Sequence, residues 1–256
     1  MSKIVFFDID GTLLDHEKKL PTTTKQAIRQ LKDNGIFVAI ATGRAPFMFE
    51  WLIDELELDS YVSFNGQYVQ FENKVIYENP LSQPELEKII DDATNRNHPL
   101  VFLNEQTMKA NTDHHPFIQQ SMESLKFIHP ERDDHFYQDK KIYQSLLFCE
   151  KGEENYYREA YKDFHFIRWH KYSMDILPKG GSKAEGIKQM IKKLNFDLKD
   201  VYAFGDGLND IEMIQEVGTG VVMGNASDEV KQYADFVTHD VAEEGIPYGL
   251  KKLGLL

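Results

Sequence analysis

The sequence predicts an α/β fold in which a parallel-sheet core is split by an inserted α+β domain. Three observations predict this. The start of the chain alternates near-continuous apolar runs with amphipathic segments, the pattern of strands buried on both faces and joined by helical crossovers. The same alternation returns in the last third. Between them, strand-like runs come in pairs separated by helices, as in a small sheet with helices on one face. With 256 residues the chain can bury a core in each part. The expected domain organisation is residues 1–81 for the first part of the core, 82–181 for the insert and 182–256 for the second part.

The elements follow in order. Lys3 to Phe7 is a near-continuous apolar strand. Thr22 to Asn34 is a helix with Ala27, Ile28 and Leu31 on one face and Gly35 just past its end. Ile36 to Ala41 is a second buried strand, Phe47 to Leu56 a helix, and Tyr61 to Phe64 a third strand, an order that implies right-handed parallel crossovers. Tyr68 to Tyr77 reads as a hairpin turning near Glu72-Asn73. In the insert, helices are expected over Gln83–Asn97, Pro116–Leu125 and Glu154–Tyr161, and strands over Leu100–Leu103, Thr107–Ala110, Tyr143–Cys149, Phe164–Trp169 and Ser173–Leu177. The core resumes with a helix from Lys183 to Leu194, a strand from Val201 to Phe204, a helix holding Ile211 to Glu216, and short strands at Gly220–Met223 and Phe236-Val237.

Composition narrows the function classes. The formal net charge of −13 opposes non-specific binding to nucleic acid or to an anionic membrane. No apolar run is long enough to span a bilayer, which needs roughly 20 residues, and the N-terminal run meets an acid at Asp8 too early for a signal peptide. The single cysteine, Cys149, lies in an apolar run and reads as core. A cytoplasmic protein, a monomer or weak homodimer, is expected.

Four breaks in the α/β pattern carry chemistry. The first strand ends in Asp8-Ile9-Asp10-Gly11-Thr12. In extended chain, Asp8 and Asp10 would project together and Ile9 away, at the strand end where open parallel sheets place their sites. A calcium loop would need Glu at its twelfth position; counting from Asp8 that position is Lys19, and from Asp10 it is Pro21. A solvated turn remains an alternative for this segment alone, although two acids closing an apolar strand are costly without a cation. The strand Val201–Phe204 ends in Gly205-Asp206-Gly207-Leu208-Asn209-Asp210, whose oxygen donors suit magnesium; an N-capping turn would explain one of these acids. After the second strand, the Thr42 hydroxyl and Gly43 amide can hold phosphate oxygens; read alone, the segment fits a plain loop as well. Lys183 opens a helix, where its charge opposes the macrodipole; a surface lysine could tolerate that, and a facing phosphate would explain it. Any global repulsion of an anionic substrate would then be overcome locally, by a divalent cation and a few placed donors.

These motifs resemble those of the haloacid dehalogenase superfamily of phosphatases, in particular the Cof-type branch with a C2-type (IIB) cap. Asp8-Ile9-Asp10-Gly11-Thr12 matches the first motif, Thr42-Gly43-Arg44 the second, Lys183 the third and Gly205-Asp206-Gly207-Leu208-Asn209-Asp210 the fourth. Met174-Asp175-Ile176-Leu177-Pro178-Lys179-Gly180 resembles the family's return from cap to core. Two departures are Ala184, where glycine is expected, and Gln67 after Asn65-Gly66. The resemblance implies a Rossmann-like core, an inserted cap that closes over it and reads the leaving group, and Mg2+-dependent hydrolysis of a small-molecule phosphate monoester. It implies that Asp8 is the nucleophile and Asp10 the acid–base. Thr42, Gly43, Lys183 and Asn209 would bind the phosphoryl group. Asp8, Asp206 and Asp210 would hold the metal, with Asp10 contributing its main-chain carbonyl. A phosphomutase of the same fold, or a phospho-accepting binding module, are the alternatives. In the insert, Arg168, Trp169 and His170 are candidates for substrate contact by chemistry alone, against a reading as a sheet edge; His114-His115 reads as a solvated loop.

Overall fold

The computed structural model describes residues 2–256. Two compact units are present, one made of Met1–Arg44, Met48–Glu78 and Ser182–Leu256, the other of Ala45–Phe47 and Asn79–Gly181. In chain order, the first unit begins with β1 (Ile4–Phe7), α1 (Thr22–Asp33), β2 (Phe37–Ala41), α2 (Glu50–Leu56), β3 (Tyr61–Ser63), β4 (Tyr68–Phe71) and β5 (Lys74–Glu78). The second unit holds α3 (Gln83–Asn95), β6 (Leu100–Leu103), β7 (Met108–Ala110), α4 (Pro116–Ser124), β8 (Gln144–Phe148), α5 (Glu154–Ala160), β9 (Phe164–Arg168) and β10 (Ser173–Pro178). The first unit is completed by α6 (Lys183–Leu194), β11 (Val201–Gly205), α7 (Ile211–Glu216), β12 (Thr219–Val222), α8 (Asp228–Lys231), β13 (Phe236–Val237) and α9 (Gly245–Lys252).

The first unit is built on an eight-stranded sheet in the order β13-β12-β11-β1-β2-β3-β4-β5. The strands from β13 to β3 pair in parallel, and the β4–β5 hairpin closes one edge antiparallel. Every residue of β1 is buried, as its Ile-Val-Phe-Phe run requires of a central strand with helices on both faces. Ile4 pairs with Val201 and Phe7 with Phe204, whose rings stack at 5.0 Å, so the carboxyl ends of β1 and β11 lie side by side. The backbone ladder runs one step past these ends: Asp8 N donates to Phe204 O, Thr42 N to Val62 O and Met223 N to Gly205 O. Asp8, Thr42, Asp206 and Met223 are thereby set along one edge, although β1 and β11 are separated by most of the sequence.

Local chemistry explains where the elements differ from expectation. The helix expected from Phe47 begins only at Glu50, after a separate 3-10 turn at Pro46–Met48. Helices α8 and α9 were not expected; Gly245, Pro247 and Gly249 disguise α9, in which the small residues allow close packing and Ile246 and Leu250 are buried. The β4–β5 turn does fall at Glu72 and Asn73, both with positive φ, as a two-residue hairpin demands.

The second unit is a five-stranded antiparallel sheet, order β7-β6-β8-β10-β9. Phe102, Leu147, Met174 and Ile176 pack with Leu86, Ile89 and Ala93 of α3 and with Tyr157 of α5, and Cys149 is buried in the same cluster, a packing cysteine as its apolar setting predicts. Arg168, at the end of edge strand β9, is consumed by structure. Its Nε and Nη2 meet Glu154 Oε1 and Oε2 at 2.9 and 2.8 Å, and Nη1 meets the carbonyl of Lys171 at 2.9 Å. Trp169 and His170 lie in the β9–β10 turn, where His170 Nδ1 lies 2.8 Å from Ser121 Oγ. His115 departs from the solvated-loop reading: its Nδ1 accepts from Phe117 N at 3.2 Å and caps α4. Among the described residues, no helix is long and apolar enough to cross a membrane.

Candidate active site

The site grows from the carboxyl edge of the parallel sheet. Asp8 leaves β1, but the chain does not stay extended. Leu13 N bonds back to Asp8 O and Leu14 N to Ile9 O, so the segment curls into a tight loop directly after β1. Gly11 makes this possible, with φ +80° and a position where a Cβ would lie 2.2 Å from Asp206 Oδ2. The loop after β11 is equally close: a Cβ on Gly205 would lie 2.6 Å from the Asp210 carboxyl carbon.

Lys183 joins these loops. Its side chain is 1% exposed, and Nζ donates to Asp8 Oδ1 at 2.6 Å and to Asp210 Oδ1 at 2.7 Å. Burial alone would lower the lysine pKa, but the charges of Asp210 and Asp8 outweigh it and move it above the ordinary value. Ser182 caps α6 by accepting from Glu185 N at 3.2 Å, which sets the helix start and so the place of Lys183. The other Asp210 oxygen accepts from the amides of Asp206 and Gly207 at 3.0 and 2.9 Å. Asp206 Oδ1 accepts from Thr12 Oγ1 at 3.2 Å.

Among the described residues, Asp8, Asp206 and Asp210 form a three-carboxylate cluster, each offering an oxygen within 4.8 Å of the others. Burial, opposed by Lys183 and reinforced by Asp210, pushes the Asp8 carboxyl up to about 7. Burial and then the charge of Asp210 push Asp206 up to about 6. One ammonium is therefore not enough for two buried acids and a third that is half-buried. Hard oxygen donors with surplus negative charge fit a divalent cation.

Asp10 lies outside that cluster. Its carboxylate accepts a fork from Arg44, Nε to Oδ2 at 2.8 Å and Nη2 to Oδ1 at 2.7 Å, and a third bond from Lys18 Nζ to Oδ1 at 2.6 Å. Partial burial would raise its pKa, but Arg44 and then Lys18 outweigh burial and hold it below the usual range. Thr42 is buried at the end of β2, and a Cβ on Gly43 would lie 3.0 Å from the Asn65 amide nitrogen. Asn65 in turn lies 3.4 Å from Asn209 Nδ2, so the exposed Asn209 faces the loop that Thr42-Gly43 packs against. Phe64, Asn65 and Gly66 all have positive φ, and buried Gln67, one of the two departures noted above, braces them by donating to Asn65 O at 3.2 Å.

Three participants were not singled out from sequence. Arg44 was quoted within a motif without a role, and Lys18 stood in a run of exposed charge. Asn225 donates to Gly11 O at 2.9 Å and to Asp206 Oδ2 at 3.2 Å, clamping the two acid loops together. A signal existed for Asn225: Val221-Val222-Met223-Gly224-Asn225 is another apolar strand ending in glycine and a polar residue, at the same sheet edge.

Residues 5–250 match the family described as haloacid dehalogenase-like hydrolase. The chain belongs to that family and is an enzyme of its phosphatase kind. It is 51% identical over 255 residues to the candidate phosphatase YkrA of Bacillus subtilis (strain 168), covering 100% of this chain and 99% of that one. A solved structure of a hypothetical protein from Geobacillus kaustophilus HTA426 superposes with a TM-score of 0.97 at 58% identity, covering 100% of both chains. The solved structure of the haloacid dehalogenase subclass IIB sugar phosphatase BT4131 superposes with a TM-score of 0.86 at 29% identity, again over 100% of both.

Proposed function

We propose that this hydrolase is a magnesium-dependent phosphatase that cleaves a small-molecule phosphate monoester, such as a sugar phosphate, a nucleotide or a cofactor phosphate, through a phosphorylated Asp8. The observation that carries the reading is the buried ammonium of Lys183 held between Asp8 and Asp210, beside a third acid. A structural lysine needs one partner; a lysine shared by the nucleophile and a metal-shell acid is placed to meet the charge of a transferring phosphoryl group.

In the first step, a carboxylate oxygen of Asp8 forms a bond to phosphorus. The bond to the leaving oxygen breaks, and that oxygen keeps the electron pair and takes a proton from Asp10, which must carry one at that moment although Arg44 and Lys18 favour its ionised form. In the second step, water attacks phosphorus and gives its proton to Asp10, and the electron pair of the breaking bond returns to the Asp8 carboxylate. Lys183, the Thr42 hydroxyl, the Gly43 amide and the Asn209 amide neutralise and orient the equatorial oxygens. Asp8, Asp206, Asp210 and the main-chain carbonyl of Asp10 would hold magnesium, which screens the repulsion between acid and phosphate. The inserted unit, expected over residues 82–181, would by its resemblance to the family's caps read the leaving group.

The test is phosphate release by the full-length protein over a panel of sugar phosphates, nucleotides, flavin mononucleotide and pyridoxal phosphate, with and without chelator. Hydrolysis of at least one ester that stops on chelation and returns with magnesium is expected. Formation of an isomeric phosphoester without free phosphate would assign a mutase instead, and inertness over the whole panel would sink both.

A further inference from the structure

Asp10 is held more firmly than exchange of a proton requires. Both of its oxygens are engaged, and Arg44 supplies two of the three bonds as a planar fork, at 2.8 and 2.7 Å. The arginine is fixed at its base. Its amide donates to Thr42 Oγ1 at 3.1 Å, its carbonyl accepts from Phe64 N at 3.2 Å, and its side chain is only 17% exposed. Lys18 differs. It sits on the loop between β1 and α1 with φ 62° and reaches a single oxygen from a half-exposed side chain. A two-point guanidinium fork sets the plane of a carboxyl group, whereas an ammonium sets only a distance.

We propose that Arg44 is the positioning residue for Asp10: its fork, anchored on the end of β2, fixes the plane in which the Asp10 carboxyl meets the leaving oxygen, and Lys18 adds charge without direction. This rests on the reading of Asp10 as the acid–base. The consequence is specific. Misorienting an acid slows the departure of oxygens that need a proton, and barely affects those that leave as stable anions. Loss of a phosphate-binding arginine would slow both alike.

The test compares kcat/KM, which reports the step up to phosphorylation of Asp8, for p-nitrophenyl phosphate and phenyl phosphate in the magnesium-loaded full-length enzyme. The nitrophenolate departs with little need of a proton; the phenolate needs one more. Arg44→Lys, which keeps the charge and removes the fork, should lower kcat/KM for phenyl phosphate by about 10- to 100-fold, and for p-nitrophenyl phosphate by less than about threefold. Asp10→Asn should show the same preference, more strongly. Lys18→Met, on its exposed loop, should cost less than Arg44→Lys on phenyl phosphate. Equal losses on both substrates with a raised KM would make Arg44 a phosphate contact and overturn the proposal. So would equal losses that track a lowered Tm, unchanged activity of Arg44→Lys, or a Lys18→Met loss exceeding that of Arg44→Lys. If Asp10→Asn shows the preference and Arg44→Lys does not, only the role of Arg44 fails. If Asp10→Asn shows none, the acid–base reading fails first.

Discussion

Asp8 and Lys183 make opposite demands on their surroundings, and substitutions at the two should separate chemistry from stability. Asp8→Asn keeps the shape of the side chain and removes a buried charge that burial already disfavours. It should lower kcat by at least ~10³-fold while Tm stays level or rises; turnover within tenfold of the parent would rule out nucleophilic attack by Asp8. Lys183→Met does the reverse. It strands two carboxylates, Asp8 and Asp210, in a place with almost no solvent. Removing one partner of a buried ion pair costs about 3–5 kcal/mol. Urea titration should show that loss at pH 8. At pH 5 it should shrink, because Asp8, already pushed up to about 7, can then take a proton instead. A loss independent of pH would mean that the lysine stabilises by packing alone.

At the scale of elements, the site depends on where α6 begins. The helix lies against the loop after β3 through two glycines: a Cβ on Gly66 would lie 1.9 Å from Ser182 O, and one on Gly186 would lie 2.5 Å from Val62 Cγ1. Gly186→Ala should therefore destabilise the chain by about 1–3 kcal/mol through overpacking. It should also lower kcat, since Lys183 stands one turn earlier on the same helix. Normal kcat in a destabilised variant would show that the helix start is held by its cap rather than by this contact. The Glu154–Arg168 pair plays a similar part in the second unit, tying α5 to the end of β9. Arg168, a candidate for substrate contact by chemistry alone against a reading as a sheet edge, is held in these bonds as a brace at the end of edge strand β9.

For the whole molecule, pH and metal are linked through the buried acids. Asp8 and Asp175 are pushed up to about 7 and Asp206 to about 6, burial being the first cause in each. A carboxyl whose folded pKa lies above its unfolded value binds its proton more tightly in the folded chain. Its contribution to stability is full below the ordinary range near 3.8 and is lost as pH rises through 6 to 7. Glu154, kept at about 2 because the bonds from Arg168 outweigh burial, contributes above its ordinary 4.5 and loses that contribution as pH falls through 2. The metal-free chain should be most stable near about pH 4 and weaker at pH 8. Magnesium should raise Tm at pH 8 well above its effect at pH 5.5, since ligands must be deprotonated to bind it. Equal shifts at both values would place the ion away from Asp8 and Asp206.

What the sequence determined by itself was the set of strands and the breaks at their ends. Buried parallel strands write themselves as unbroken apolar runs, and a site at their carboxyl edge must interrupt those runs with glycine and acid, so Asp8, Thr42, Asp206 and Asp210 were legible one strand at a time. The register of β1 against β11, and with it the meeting of Asp8 with Asp210 across Lys183, was decided only by the tertiary structure. So were the curl after Asp8 and the pairing of Asp10 with Arg44 and Lys18. The physical reason is one of range. Hydrophobic period and turn chemistry act over a few residues and leave a local trace, whereas a hydrogen bond between side chains far apart in sequence leaves none in either partner's neighbours. The pairing of Asp10 with Arg44 is of that second kind.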